Sequence, residues 1–335
     1  MAAAVRSRRV LATAAAVAAL AVAVVLSLAV GARPISPSVV FDALLHGAGR
    51  SGEGDVVLEL RLPRTLIAVL VGAALAVAGT ALQGITRNPI ADPGILGISQ
   101  GASVGVVLAI AFAGVHTLSG YVWFAFAGAA AASVAVYAIA SSGRGGATPV
   151  KLALGGAAIN ALLLSLTTGV LTTKAAALDE FRFWQAGSVA GRDAVIVAQT
   201  WPFLLAGLAL VVAVARGLDA LALGEDVAKG LGQRVALVRV AAGAGATILT
   251  GAAVAAAGPI AFVGLAVPHI VRALVGADHR WLLPMAALVG PVMLLVADVA
   301  GRIVFPPGEV PAGVMTALIG VPFLVALVRR KAVPA

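Results

Sequence analysis

The chain of 335 residues is 61% hydrophobic and only 11% charged, with a mean hydropathy of +1.07. Soluble domains run at about 45–50% apolar and about 25% charged, so this composition excludes a disordered chain, a fibre and a water-soluble globule. It leaves a polytopic membrane protein.

Apolar runs predict ten spanning helices, at 10–30, 64–84, 94–114, 121–141, 150–172, 195–215, 236–257, 260–276, 281–304 and 312–328. The fold class is therefore all-α, because lipid-exposed backbone must satisfy its own hydrogen bonds and the runs lack the alternation of barrel strands. The first run follows Arg6, Arg8 and Arg9 and is long enough to stay as an anchor rather than be cleaved as a signal. With ten spans and the N-terminus inside, fifteen of the 23 Lys and Arg residues, Arg87, Arg144, Lys151 and Lys331 among them, fall on the inner side. Arg33, Arg50, Arg61, Arg64, Lys174, Arg182, Arg192 and Arg302 fall on the outer. That bias predicts both termini in the cytoplasm. The net charge of +9 comes from these short inter-span clusters, with no aromatic-interleaved basic patch, so nucleic acid is not a partner. Zero Cys excludes disulfides and thiolate chemistry.

Four breakpoints between the runs carry specific chemistry. Arg61-Leu62-Pro63-Arg64 opens the second span as a rigid, exposed cationic corner, with Arg302 one turn after Asp298 at the same face. It serves either as interfacial anchoring by snorkelling side chains or as a dock for an acidic patch on an external partner. Gln83 to Gly94, with its Asn88-Pro89 and Asp92-Pro93-Gly94 turns, is a tight inner loop. The inner segment Leu223 to Gly232 reads as a short helix opening with Glu225 and Asp226 and closing with Lys229 and a glycine cap. It is a surface stub or a handle for a soluble partner. Gly258-Pro259 to Pro268-His269 brackets a run too short to span comfortably, which predicts a broken or re-entrant helix.

Enzymatic readings find little support. Gly101-Ala102-Ser103-Val104-Gly105 fits a nucleophile elbow, with His269 and Asp298 as conceivable partners, but it sits inside a glycine-rich apolar run rather than a strand-to-helix turn. There is no P-loop and no H-E-x-x-H, and His46, His116, His269 and His279 are scattered, so no catalytic, cofactor or metal site is expected. A proton-coupled carrier would place titratable groups within its spans, and only Asp298 and Arg239 are candidates. The composition is that of a transporter whose energy comes from outside the chain.

Taken in order, Arg61-Leu62-Pro63-Arg64, Gly72 to Gln83, Arg87-Asn88-Pro89, Pro93 to Gly97, Leu223-Gly224-Glu225, Gly258-Pro259-Ile260 to Pro268-His269, Asp278-His279-Arg280, Ala297-Asp298 and Pro311 to Pro322-Phe323 resemble the FecCD-type permease family over about residues 56 to 328. These are membrane subunits of ATP-driven importers for ferric siderophores, haem and cobalamin. The resemblance implies one permease domain over 1–335: a cytoplasmic N-terminus at 1–9, a ten-helix bundle like that of cobalamin-importer permeases at 10–328, a cytoplasmic coupling segment at 216–235 and a tail at 329–335. It implies a second permease subunit, like or unlike, two cytoplasmic ATPase subunits carrying ATP and Mg, and an extracytoplasmic solute-binding protein. It assigns ATPase coupling to Gly224, Glu225, Asp226, Lys229, Gly230 and Gly232, and binding-protein docking to Arg61, Arg64 and Arg302. The path is expected along Thr80, Gln83 and Asn160 and the fifth and tenth spans. Ferric siderophore is the expected cargo, with haem or cobalamin as the alternative within the family.

Overall fold

A computed structural model describes residues 2–31, 33–47, 52–142, 148–306 and 308–332. Arg50, Arg144 and residues 333–335 of the tail lie outside them. Fourteen α-helices, besides a 3-10 turn at Pro93–Leu96, run in order among the described residues. They are α1 (Ala2–Ala29), α2 (Pro37–His46), α3 (Gly52–Thr86), α4 (Ile98–Ala113), α5 (Leu118–Ser141), α6 (Pro149–Thr173) and α7 (Ala175–Gln185). The second half holds α8 (Ala194–Ala213), α9 (Ala215–Ala222), α10 (Glu225–Gly230), α11 (Val235–Ala257), α12 (Val263–Val275), α13 (His279–Val304) and α14 (Ala312–Ala332).

Seven of these are long and apolar enough to cross a bilayer, and Ile98–Ala113, Val263–Val275 and Ala312–Val325 are shorter apolar helices. They match the ten predicted runs one for one. The second begins earlier than its apolar run, because α3 reaches back through Glu53, Asp55 and Glu59, with a π-helical stretch at Val56–Arg61. Such stretches mark places where a helix is adjusted for function or packing.

The centre is built from α3, α11 and α13, whose side chains are mostly buried, while α1 and α6 keep most of their surface uncovered. Glycine makes that centre possible. A Cβ on Gly72 would sit 2.8 Å from the backbone of Gly290 on α13, and one on Gly79 only 1.9 Å from Gly264 O on α12. A Cβ on Gly101 of α4 would likewise sit 2.3 Å from Gly128 O on α5. Without a hydrophobic drive between helices in lipid, backbone-to-backbone approach of this kind supplies the association energy.

The predicted break after α11 is present. Residues 258–262 leave helical geometry, with Phe262 in the left-handed region at φ 69°. The α12 helix has 13 residues, about 20 Å, too short to span alone. The irregular stretch is covered by protein: Ser188 N donates to Ala257 O, Phe262 lies against Gly320, and Gly187 crosses Pro259. Non-helical backbone at membrane depth survives under such cover.

Candidate functional site

At one end of the bundle the chain gathers the start of α1, the end of α12, the start of α13 and the α9–α10 segment. Arg8 and Arg9 of α1 donate to Ala273 O and Val275 O, closing the last turn of α12. The α10 helix opens with Glu225 and Asp226 and ends with Lys229, as the charge pattern predicts. Gly224 and Gly232 hold φ values of 117° and 78°, which glycine adopts without strain, so the two bracket the helix. Gly230 is its last residue rather than its cap.

Glu225 pairs with Lys229 at 3.1 Å and reaches back to Arg239 of α11 at 2.8 Å. Hydrogen bonds from Lys229 first, then Arg239, hold its carboxyl below the usual range. The acid therefore fastens α10 to a spanning helix instead of standing free. Along the same segment Leu223, Val227 and Leu231 are exposed. Val227 stands on α10 itself, with Leu223 just before its opening glycine and Leu231 just after its last residue, so the segment presents three open apolar side chains. Behind it Asp219 of α9 accepts from both His279 N and His279 Nδ1, at 2.8 and 2.7 Å, which ties the segment to the first turn of α13. Sequence reasoning missed this clasp, because no spacing rule links residues 60 positions apart.

At the opposite end, the three arginines expected as a docking surface are not an exposed corner. Arg61 is 8% and Arg302 3% exposed. The Arg61 guanidinium donates to Leu28 O, Ala29 O and Arg33 O, and Arg302 donates to Ser27 O and Val30 O. Together they satisfy carbonyls left over where α1 stops, the groups a helix end cannot bond internally. Asp298, 1% exposed, takes Arg302 and also Arg64, the latter at 2.7 Å, and Arg64 continues to Glu309 at 2.8 Å. Ser27 Oγ closes the network against Thr65. Of the three, only Arg64 keeps some exposure, 13% of its side chain. The expectation of an exposed dock is corrected on a physical ground: buried guanidiniums need acceptors, and the end of α1 with Asp298 provides them.

The expected path residues are also mostly interior. Thr80 is fully buried and donates to Ala76 O within α3. Gln83 lies against α12, where its Nε2 faces Gly264 O and Leu265 O and its Oε1 accepts from Arg272 at 3.2 Å. Both are hydrogen-bonded inside the bundle of this chain. Asn160 is half-buried and donates to Gly94 O at 2.9 Å, fixing α6 to the turn before α4. The polar face that does stand open is on α6, where Ser165, Thr168, Thr172 and Thr173 are exposed and satisfied by carbonyls a turn earlier. Val314, Leu318, Ile319, Val321 and Val325 of α14 are open as well. Among the described residues no three His, Asp or Glu side chains converge where a metal ion could sit.

Residues 19–330 match the FecCD transport family. The chain is 43% identical over 313 residues to the ferric enterobactin transport system permease protein of Escherichia coli (strain K12), covering 93% of each. It is 42% identical over 306 residues to the iron(3+)-hydroxamate import system permease protein of Bacillus subtilis (strain 168), covering 91% of this chain and 79% of that one. Among solved structures, one described as an inward-facing metal-chelate type ABC transporter superposes with a TM-score of 0.82 at 30% identity, covering 94% of this chain and 98% of that one.

Proposed function

The chain belongs to the FecCD transport family, and from that premise we propose that it is the permease subunit of an ATP-driven importer of ferric siderophores. The observation that carries the reading is the exposed apolar set Leu223, Val227 and Leu231, at the end of the bundle where Glu225 and Asp219 brace the segment against α11 and α13. An exposed apolar set on a braced segment outside the membrane fits the groove of a soluble partner. Two ATPase subunits, holding ATP and Mg, seat there on the cytoplasmic side, with both termini on that side. The coupling role assigned to Glu225 then becomes one of holding the helix at a fixed angle, with Gly224 and Gly232 as its ends.

ATP-driven closure of the partners pushes α10. The push passes through the Asp219–His279 clasp into α13, a rod of 26 residues whose far end carries Asp298 and Arg302. The bundle thereby switches between outward and inward access. A second permease, like or unlike, packs so that the open faces of α6 and α14 line the path between the two chains. A solute-binding protein delivers cargo to the outer end, where Arg64 and Glu309 form part of the rim and Arg61 and Arg302 hold the rim's shape. The relatives named for ferric enterobactin and iron(3+)-hydroxamate support a ferric siderophore over haem or cobalamin as cargo.

The test is reconstitution. Permease with ATPases and binding protein in liposomes takes up ferric siderophore only with ATP, and Val227→Asp abolishes ATPase association while leaving the permease folded. Uphill transport by the permease alone would overturn the proposal.

A further inference from the structure

Arg192 lies in the outer connection 186–193 and is 8% exposed. Its Nε donates to Ser188 O at 3.1 Å. Its terminal nitrogens meet no carboxylate among the described residues. The neighbouring acid, Asp193, spends its carboxylate on the first turn of α8, accepting from Ile196 N at 3.0 Å. Burial pulls the guanidinium down to about 10, which leaves it cationic at neutral pH. The contrast with its neighbours is plain: Arg61 and Arg302 are equally buried and are saturated with carbonyls and Asp298. Asp193 supplies the only opposing charge felt at Arg192 and makes no direct ion pair with it among the described residues, and a buried cation so weakly paired is a costly feature for a fold to keep.

Two chambers meet at this side chain. One, of about 530 Å³, is lined by four further arginines, Arg33 and Arg64 among them, against the three acids Glu59, Asp193 and Glu309, which leaves it net basic. The other, of about 440 Å³, is walled by Tyr121 and Phe183. The acid of the second chamber, Glu180, is engaged by His116 and Tyr121 and does not neutralise Arg192. A cationic point between a basic chamber and an aromatic one suits a planar anion: the charge pairs with the guanidinium and the flat group lies on the rings. Such a buried guanidinium is out of reach of a docked protein face but open to a small mobile arm.

We propose that Arg192 is the centre of an anion subsite at the outer mouth, which receives a catecholate or carboxylate arm of the ferric chelate as it leaves the binding protein. The subsite rests on the importer reading, names its cargo as anionic, and makes Arg192 a specificity-determining residue.

The test uses the full permease–ATPase complex and two probes, an anionic ferric tris-catecholate and a neutral ferric tris-hydroxamate, with binding followed by quenching of tryptophan fluorescence. Arg192→Gln weakens the tris-catecholate about tenfold, the loss of one charge-assisted contact, and leaves the tris-hydroxamate unchanged. Arg192→Lys recovers most of the affinity, and the wild-type affinity for the anion falls with added salt. Equal loss for both probes would make Arg192 a structural residue and overturn the subsite, as would no loss for either. Weakened docking of the binding protein with chelate affinity intact would overturn it in favour of an acidic side chain as the occupant. Failure of the wild-type complex to move either chelate with ATP would instead bring down the importer reading together with the subsite.

Discussion

Asp298→Ala removes the carboxylate that Arg64 and Arg302 share. At the 2.7 Å separation of Asp298 from Arg64, the gross attraction at an effective dielectric of about 20 is roughly 6 kcal/mol. Desolvation of the charges offsets part of that, and removing one partner of a buried pair costs about 3–5 kcal/mol because the remaining charge is stranded. Arg64 keeps Glu309, but Arg302, 3% exposed, is left with neutral acceptors at Ser27 and Val30, so a loss within that range applies. The loss reaches α1 as well, since Arg302 positioned by Asp298 is what caps Ser27 O and Val30 O. Reversible SDS-induced unfolding of the purified permease, followed by circular dichroism, measures it. Asp298→Asn falls between wild type and alanine, and a triple variant with leucine at Arg64, Asp298 and Arg302 recovers only the part due to stranded charge, because it still leaves Ser27 O and Val30 O uncapped. A change below about 1 kcal/mol for Asp298→Ala, the size of an exposed pair, would show that water reaches the cluster and that its burial was misjudged.

Gly79→Ala drives a methyl into Gly264 O and destabilises the same unfolding transition by about 2 kcal/mol. Gly169→Ala on α6, which has open space around it, is neutral or stabilising by up to about 1 kcal/mol. Glu225→Gln lowers stability by less than about 1 kcal/mol, as for an exposed pair, yet lowers binding-protein-stimulated ATP hydrolysis severalfold in the assembled complex. Because the folded pKa of Glu225 is depressed, its contribution is complete above the ordinary glutamate value of about 4.3 and disappears as pH falls through the lower folded value. Titrating wild type against Glu225→Gln therefore shows a constant difference from about pH 6 to 8 that closes only in acid. Asp219→Ala releases both His279 N and Nδ1, costs about 1–2 kcal/mol, and leaves ATP hydrolysis running with less transport per ATP in proteoliposomes.

The ten spans were legible because apolar run length is dictated by bilayer thickness, and each run between Leu11 and Leu318 became a helix. The break at Gly258-Pro259 and the α10 helix between Gly224 and Gly232 were legible for the same kind of local reason, turn chemistry and end charges. Helices α2, α7 and α9 were not read, since they are short and lie among polar connections where periodicity has too few residues to register. The arginines were misjudged through a limit of local reasoning. Arg61 and Arg64 sit at the head of an apolar run, where exposure is the usual outcome, and their acceptors lie in α1 and, for Arg64, 234 residues onward at Asp298. Thr80 and Gln83, which the resemblance places along the path, meet backbone carbonyls of α3 and α12 within this chain, contacts that no local spacing announces.

The crossings at Gly72–Gly290, Gly79–Gly264 and Gly101–Gly128 bring main chain against main chain, with only small side chains such as Ala76 and Ala132 beside them. A seam of that sort has few rotamers to reset when one rod shifts along another, so small translations are cheap while separation is not. Repeated cycling would then wear no groove into the energy surface: the stroke returns along the track it took, and the lubricant is the missing methyl group.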